Sequence, residues 1–141
     1  MREQVLASFE PGGPDSESFM INGADLVRGI MGPIGSGKSV ACCAEIMMRC
    51  CEQAPGRDGV RRSRWAIIRN AYPELKSTAM KTWLDWFPES VFGRMKWDAP
   101  ITHLIAFNEP NLGRVEIEVL FLALDRPDHV KKLLSLEVTG V

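Results

Sequence analysis

Gly32-Pro33-Ile34-Gly35-Ser36-Gly37-Lys38-Ser39 is the stretch on which the fold turns. It fits the pattern Gly-x-x-x-x-Gly-Lys-[Ser/Thr], in which each fixed position has a mechanical reason. Gly35 and Gly37 reach backbone angles that other residues resist, so successive N–H groups can turn inward around phosphate oxygens. A helix that starts directly after the loop points its positive end at the same anion. In such a loop Lys38 sets its ammonium against the β- and γ-phosphates, and Ser39 offers a hydroxyl to magnesium. The expected ligands are ATP and Mg2+, contacted by Gly32, Pro33, Ile34, Gly35, Ser36, Gly37, Lys38 and Ser39.

The flanks supply the setting. Residues 24–31, apolar at Val27, Ile30 and Met31, read as a strand leading into the loop. After it, Val40, Cys43, Ala44, Met47, Cys50 and Cys51 recur at spacings of three and four, which predicts a helix over 38–54. Glu45 and Arg49, four apart, are expected to pair on its solvent side. Pro55-Gly56-Arg57-Asp58-Gly59 reads as a loop, and residues 65–69 as a buried strand. Tyr72-Pro73-Glu74 opens a second helix, along which Leu75, Ala79, Trp83 and Phe87 repeat every four residues until Pro88.

Residues 101–107 and 115–124 read as strands joined by a turn over 108–113. The second alternates through Val115-Glu116-Ile117-Glu118-Val119 and then turns wholly apolar, as a strand does on passing from a rim into a core. Asp125-Arg126-Pro127-Asp128 carries helix-start residues for a helix over 129–136, and Val138 begins what reads as another strand. Residues 1–22 read as a flexible lead-in, broken by Pro11-Gly12-Gly13-Pro14, and residues 23–141 as one partial ATPase domain. Strands alternating with helices predict an α/β fold of the P-loop NTPase type, with a mainly parallel sheet flanked by helices and incomplete at its C-terminal end.

Composition narrows the function classes. The chain has 141 residues, 45% apolar and 25% charged, close to globular averages, and no apolar run reaches the length of about 18 residues that a spanning helix needs. A formal net charge of −1 gives no general attraction to nucleic acid; the dense basic run is Arg57 with Arg61, Arg62 and Arg64. Cysteines fall in two adjacent pairs, Cys42-Cys43 and Cys50-Cys51, which is not a zinc spacing; they read as small apolar side chains packing a helix. His103 and His129 have no partnering motif, and Trp83, Trp86 and Trp97 read as core and helix contacts.

Hydrolysis at such a site needs an acid at the end of another strand to hold magnesium. Leu122-Ala123-Leu124-Asp125 comes closest, but Arg126-Pro127 follows it, so Asp125 reads as a helix cap. The better candidate is the strand beginning at Val138. Arg69, at the end of the 65–69 strand, has two readings: a catalytic arginine finger, or a surface residue paired with Glu74 or Asp85.

Three blocks carry a resemblance. They are Val27-Arg28-Gly29-Ile30-Met31 leading into the loop, Arg64-Trp65-Ala66-Ile67-Ile68-Arg69-Asn70-Ala71-Tyr72-Pro73-Glu74-Leu75-Lys76-Ser77-Thr78, and Phe121-Leu122-Ala123-Leu124-Asp125-Arg126-Pro127 continuing to Leu133-Leu134-Ser135-Leu136-Glu137. Together they resemble the ATPase domain of the tailed-bacteriophage terminase large subunit. The resemblance implies an ATP-driven motor that threads double-stranded viral DNA into procapsids in the host cytoplasm. Its partners would be the portal protein, the small terminase subunit and further copies in a homo-oligomeric ring, with no membrane involved. Lys38 and Ser39 match the family's phosphate lysine and magnesium hydroxyl, and Arg69 lies near the region that supplies an arginine to a neighbour's ATP. Family members continue into an acidic magnesium motif, a catalytic glutamate and a nuclease domain. The chain therefore reads as an N-terminal portion, binding ATP-Mg and hydrolysing it poorly. A small P-loop kinase and a non-catalytic remnant stand as the alternatives.

Overall fold

The computed structural model describes residues 13–21, 27–98 and 100–141, without the side chain of Ser16. Helix α1 (Pro14–Ile21) is followed by the loop and α2 (Lys38–Glu52). Strand β1 (Arg61–Arg69) leads into a helical run made of α3 (Tyr72–Glu74), a π-helical segment (Leu75–Met80) and α4 (Lys81–Trp86). Then come α5 (Glu89–Phe92), β2 (Met95–Lys96), β3 (Ile101–Glu109), β4 (Gly113–Ala123) and α6 (Pro127–Ser135).

The fold is mixed α/β, but the sheet is not mainly parallel. Its four strands are ordered β1-β4-β3-β2, with β1 parallel to β4 and the other two pairings antiparallel. The reason is the short turn between β3 and β4, where Glu109 pairs with Gly113. A connection that short makes a hairpin, whereas a parallel pair needs a crossover of a dozen or more residues. Gly113 sits at φ 79°, the left-handed angle that lets the turn close into β4.

Three further expectations change. The strand read over 24–31 is absent where it is described: residues 27–31 form no strand, and Val27 and Met31 face solvent, while 22–26 lie outside the described residues. The lead-in read over 1–22 contains α1; its first twelve residues lie outside the description. The strand begun at Val138 amounts to one parallel bridge, Trp65 with Gly140, supported by Ala66 N–H donating to the Gly140 carbonyl at 3.1 Å. There a Cβ on residue 140 would meet the Trp65 ring at 2.2 Å, so only glycine permits the approach.

The helix over 72–86 keeps its predicted four-residue repeat for a specific reason. Four residues overshoot a 3.6-residue turn by about 40°, so three steps of α-helix would carry Phe87 well away from the face of Leu75. The π segment underwinds the helix, and Leu75, Trp83 and Phe87 all end up buried. They pack against Val115, Ile117, Val119 and Phe121 on one face of β4. On the other face, Leu120 and Leu122 pack with Ala66 beneath Leu133 and Leu136, so α6 covers only the carboxyl half of that face. Of the tryptophans, Trp83 is buried and Trp97 is exposed, which corrects the expectation for Trp97.

His103 is buried within this core. The Trp83 indole donates to His103 Nδ1 at 2.9 Å, so the ring proton is on Nε2 and is donated to the Gly93 carbonyl at 2.8 Å. Burial holds the imidazole below its ordinary value of 6.5, opposed by the Gly93 carbonyl and Glu89. The unfolded chain therefore binds more protons than the folded one just below pH 6.5, and stability falls as pH drops through that window until the folded group also titrates. His103→Ala should cost about 2–4 kcal/mol by stranding an indole N–H and a carbonyl. In denaturant melts at pH 7.5 and 5.5, it should also flatten the acid-side loss relative to the parent.

Candidate nucleotide-binding site

The loop is shaped by its own backbone. Gly35 and Gly37 both sit at φ 80°, and Gly37 is the residue preceding the first turn of α2. Its carbonyl accepts the first helical bond, from Ala41 N–H at 2.9 Å. Ser36 N–H turns back to the Pro33 carbonyl at 3.3 Å. At Gly32 a Cβ would approach Ser36 Oγ to 2.9 Å, a contact that turning the serine hydroxyl relieves. The left-handed angle at Gly37 explains one of the motif's fixed positions, and Gly35 adds a second left-handed residue at a variable one.

Lys38 leans over the loop. Its Nζ donates to the carbonyls of Gly32 and Pro33, each at 2.6 Å, and to Ser36 Oγ at 3.1 Å. Ser39 is exposed beside it, and Ile34 projects fully into solvent. A pocket of about 150 Å³ lies over the loop, lined by Gly32, Pro33, Ser36 and Lys38 on one side and by Gly13, Pro14 and Asp15 of the α1 end on the other. The predicted loop residues therefore come together at one helix start, and the α1 wall is an addition that the motif does not signal. Among the described residues, no three His, Cys, Asp or Glu side chains gather as a metal cluster.

Arg69 is on a different element. It ends β1 in register with Ala123, and Leu124 N–H donates to its carbonyl at 3.0 Å. Its half-exposed guanidinium lies 3.9 Å from Glu74, matching the surface-pair reading, at a distance where the attraction is weak. Asp125 does cap a helix, though not the one that follows it. Both its carboxylate oxygens accept Tyr72 N–H, at 3.1 and 3.2 Å, at the start of the 72–86 helical run. The same Tyr72 ring lies under the Arg126 guanidinium at 4.5 Å and edge-on to His129 at 5.9 Å. His129 itself is structural: its Nδ1 accepts the Ala123 N–H at 3.0 Å.

Arg62 and Arg64 of the basic run are paired with acids. Arg64 pairs with Glu118 at 2.9 Å, Arg62 with Asp58 at 2.7 Å, and Arg114 with Glu116 at 3.0 Å. The Arg61 guanidinium donates to the Gln53 and Leu112 carbonyls. Arg62, Arg64 and Arg114 form a paired charge ladder on the open half of the sheet, while Arg61 stands on the other face in register with Val115.

On α2, the cysteines divide. Cys43 and Cys50 are buried against the sheet helices, and desolvation pushes each thiol up to about 12, so neither is a reactive thiolate. Cys42 is exposed, against the expectation of four packed cysteines. Glu45 does pair with Arg49, at 2.6 Å, but it is buried and not on the solvent side. Arg28 reaches the same carboxylate oxygen.

No helix among the described residues is long and apolar enough to cross a membrane. None of the family models, curated proteins or solved structures compared with the chain matches it.

Asp125 and Arg69 lie side by side at the strand ends yet should behave differently. Asp125→Ala removes a cap and should cost about 1 kcal/mol of unfolding free energy. Arg69→Ala should change it by less than about 0.5 kcal/mol. Urea titration of the two variants checks the difference.

Proposed function

We propose that the chain binds ATP with magnesium through Gly32–Ser39 and serves as the ATP-binding part of a viral DNA-packaging motor of the terminase large-subunit type. The observation that carries the nucleotide reading is the backbone of the loop. Gly35 and Gly37 are both left-handed and Gly37 leads directly into a helix of 15 residues, the arrangement that turns N–H groups toward an anion. The residues present fit a triphosphate: Lys38 carries its charge over the loop, and helix starts leave N–H groups without intrahelical acceptors. Ser39 would hold the magnesium ion, whose chemistry is to neutralise charge on the phosphate oxygens.

Chain direction supports a shared edge for Lys38 and Arg69. The Gln53 carbonyl, just past α2, accepts from Arg61 at the start of β1, and α2 packs on β1 and β4. From Cys50 back to Ser39 is about 16 Å of helix. From Arg64 to Arg69 is about 16 Å of strand. A helix laid back along β1 therefore brings the loop level with the strand's carboxyl end, where open sheets bind ligands. The motor reading itself rests on the resemblance around Arg64–Thr78, which falls on β1 and the helix after it. Hydrolysis is expected to be poor, because Asp125, the acid that comes closest to the magnesium motif, caps the 72–86 helical run through the Tyr72 N–H and is followed by Arg126-Pro127.

Ligand-linked stability tests the reading. ATP-Mg at a hundred times its dissociation constant should add about 2.7 kcal/mol to unfolding, and Lys38→Ala should abolish that gain. A parent melting temperature that ignores saturating ATP-Mg would sink the proposal.

A further inference from the structure

α1 is attached to the rest of the molecule mainly by charge. Among its described side chains Asp15, Glu17 and Ser18 face solvent, Ile21 is 74% exposed, and Phe19 and Met20 are half-buried. An eight-residue helix with so little apolar contact does not hold itself in place. What holds it are two guanidinium groups at its C-terminal end. Arg28 donates to the Phe19 carbonyl and stacks over the Phe19 ring at 5.0 Å. Arg49 donates to the Met20 carbonyl at 2.8 Å. Cations at a helix C-terminus complement its negative end, and α1 has none of its own there.

Both guanidinium groups converge on one carboxylate oxygen, Glu45 Oε1. Glu45 is only 5% exposed, and its second oxygen is buried without a hydrogen-bond partner. A buried carboxylate that leaves half its capacity unused is a costly feature to keep for stability alone. It joins three pieces: α1, the segment leading into the glycine loop, and α2.

The far end of α1 lies over the loop. Gly13, Pro14 and Asp15 close the pocket above Ser36 and Lys38 to about 150 Å³. Ligand sites commonly span about 300–1,000 Å³. Asp15 also brings a carboxylate to the wall where a phosphate would sit, which repels an anion and attracts Lys38.

We propose that α1 is a reversible strap across the loop, latched through Glu45 by Arg28 and Arg49, and that nucleotide binding and the seated strap exclude one another. The inference rests on the nucleotide reading of Gly32–Ser39. The strap lowers the apparent affinity by the fraction of chains in which it is open. Weakening the latch therefore tightens nucleotide binding, the opposite of what loss of a supporting contact does.

The test uses the full chain with Arg49→Met, which keeps the aliphatic stem and removes the donations to Met20 and Glu45, together with the exposed pair to Glu52. ATP-Mg should bind this variant about tenfold more tightly in calorimetry. Asp15→Asn, at an exposed position outside the latch, should tighten binding several-fold and serves if Arg49→Met folds poorly. Hydrogen exchange should show the amides of residues 14–21 exposed by Arg49→Met without nucleotide, and by saturating ATP-Mg in the parent. Parent binding with unchanged or weaker affinity in both variants overturns the strap and leaves the nucleotide site standing. Protection of α1 that persists at saturating ATP-Mg also overturns the strap alone. Absence of binding in the parent and in both variants overturns both readings.

Discussion

The parallel pairing of β1 with β4 is the constraint on which the other elements depend. Its register runs from Arg61 opposite Val115 to Arg69 opposite Ala123, and it continues past the strands through Leu124 and Asp125 bonding to Arg69 and Asn70. Because β4 also pairs with β3, it is an inner strand, and its residues from Val119 to Ala123 are buried on both faces. That double burial lets one strand seat two layers: Phe121 toward the 72–86 helical run and Leu120 and Leu122 toward α6. Shifting the register by one residue would send Phe121 to the α6 side and put Leu120 among the aromatic side chains. It would also move Asp125 away from Tyr72 and uncap the helix.

The elements that were legible in the sequence are those whose pattern is local. The alternation over Val115–Val119 followed by five apolar residues located β4 and its passage into the core, and the three-and-four spacing after Lys38 located α2. Pairing order was not local. A sequence of alternating helices and strands suggests parallel neighbours, but the tight turn before Gly113 made a hairpin of β3 and β4. The burial of Glu45 was hidden for a related reason: an acid four residues before an arginine looks like an exposed pair, and only Arg28 and α1, from outside the helix, enclose it. In the site, the glycines and lysine were readable because their roles are set within eight residues. The wall formed by Asp15 was not, since nothing local ties residue 15 to residue 38.

Charge is used differently on the two faces of the sheet. The centre of the core face carries no charged side chain: His103 satisfies Trp83 and Gly93 there, and Arg61 and Arg69 stand at the two ends of β1. The opposite face carries Arg62, Arg64, Glu116 and Glu118 in cross-strand pairs wherever α6 does not reach. Such exposed pairs add little stability. Their effect is to keep an uncovered sheet face hydrated and self-neutralised, so that it offers neither an apolar patch nor a basic track. Any grip on a nucleic acid phosphate backbone must then come from some other surface than this basic run.

The two sides of α2 extend that division of labour to the loop. Toward the sheet, Cys43 and Cys50 are packed in the core, and separating them from it would expose apolar surface to water. Toward α1 itself, the polar contacts are guanidinium donations to the Phe19 and Met20 carbonyls, each of which water can replace at modest cost. The helix start that carries Gly37 and Lys38 is thus fixed to the sheet by interactions that do not come apart singly. What lies across it is held by interactions that do. The start of α2 therefore keeps its seat on the sheet independently of α1, because the energies that hold the two are of different kinds.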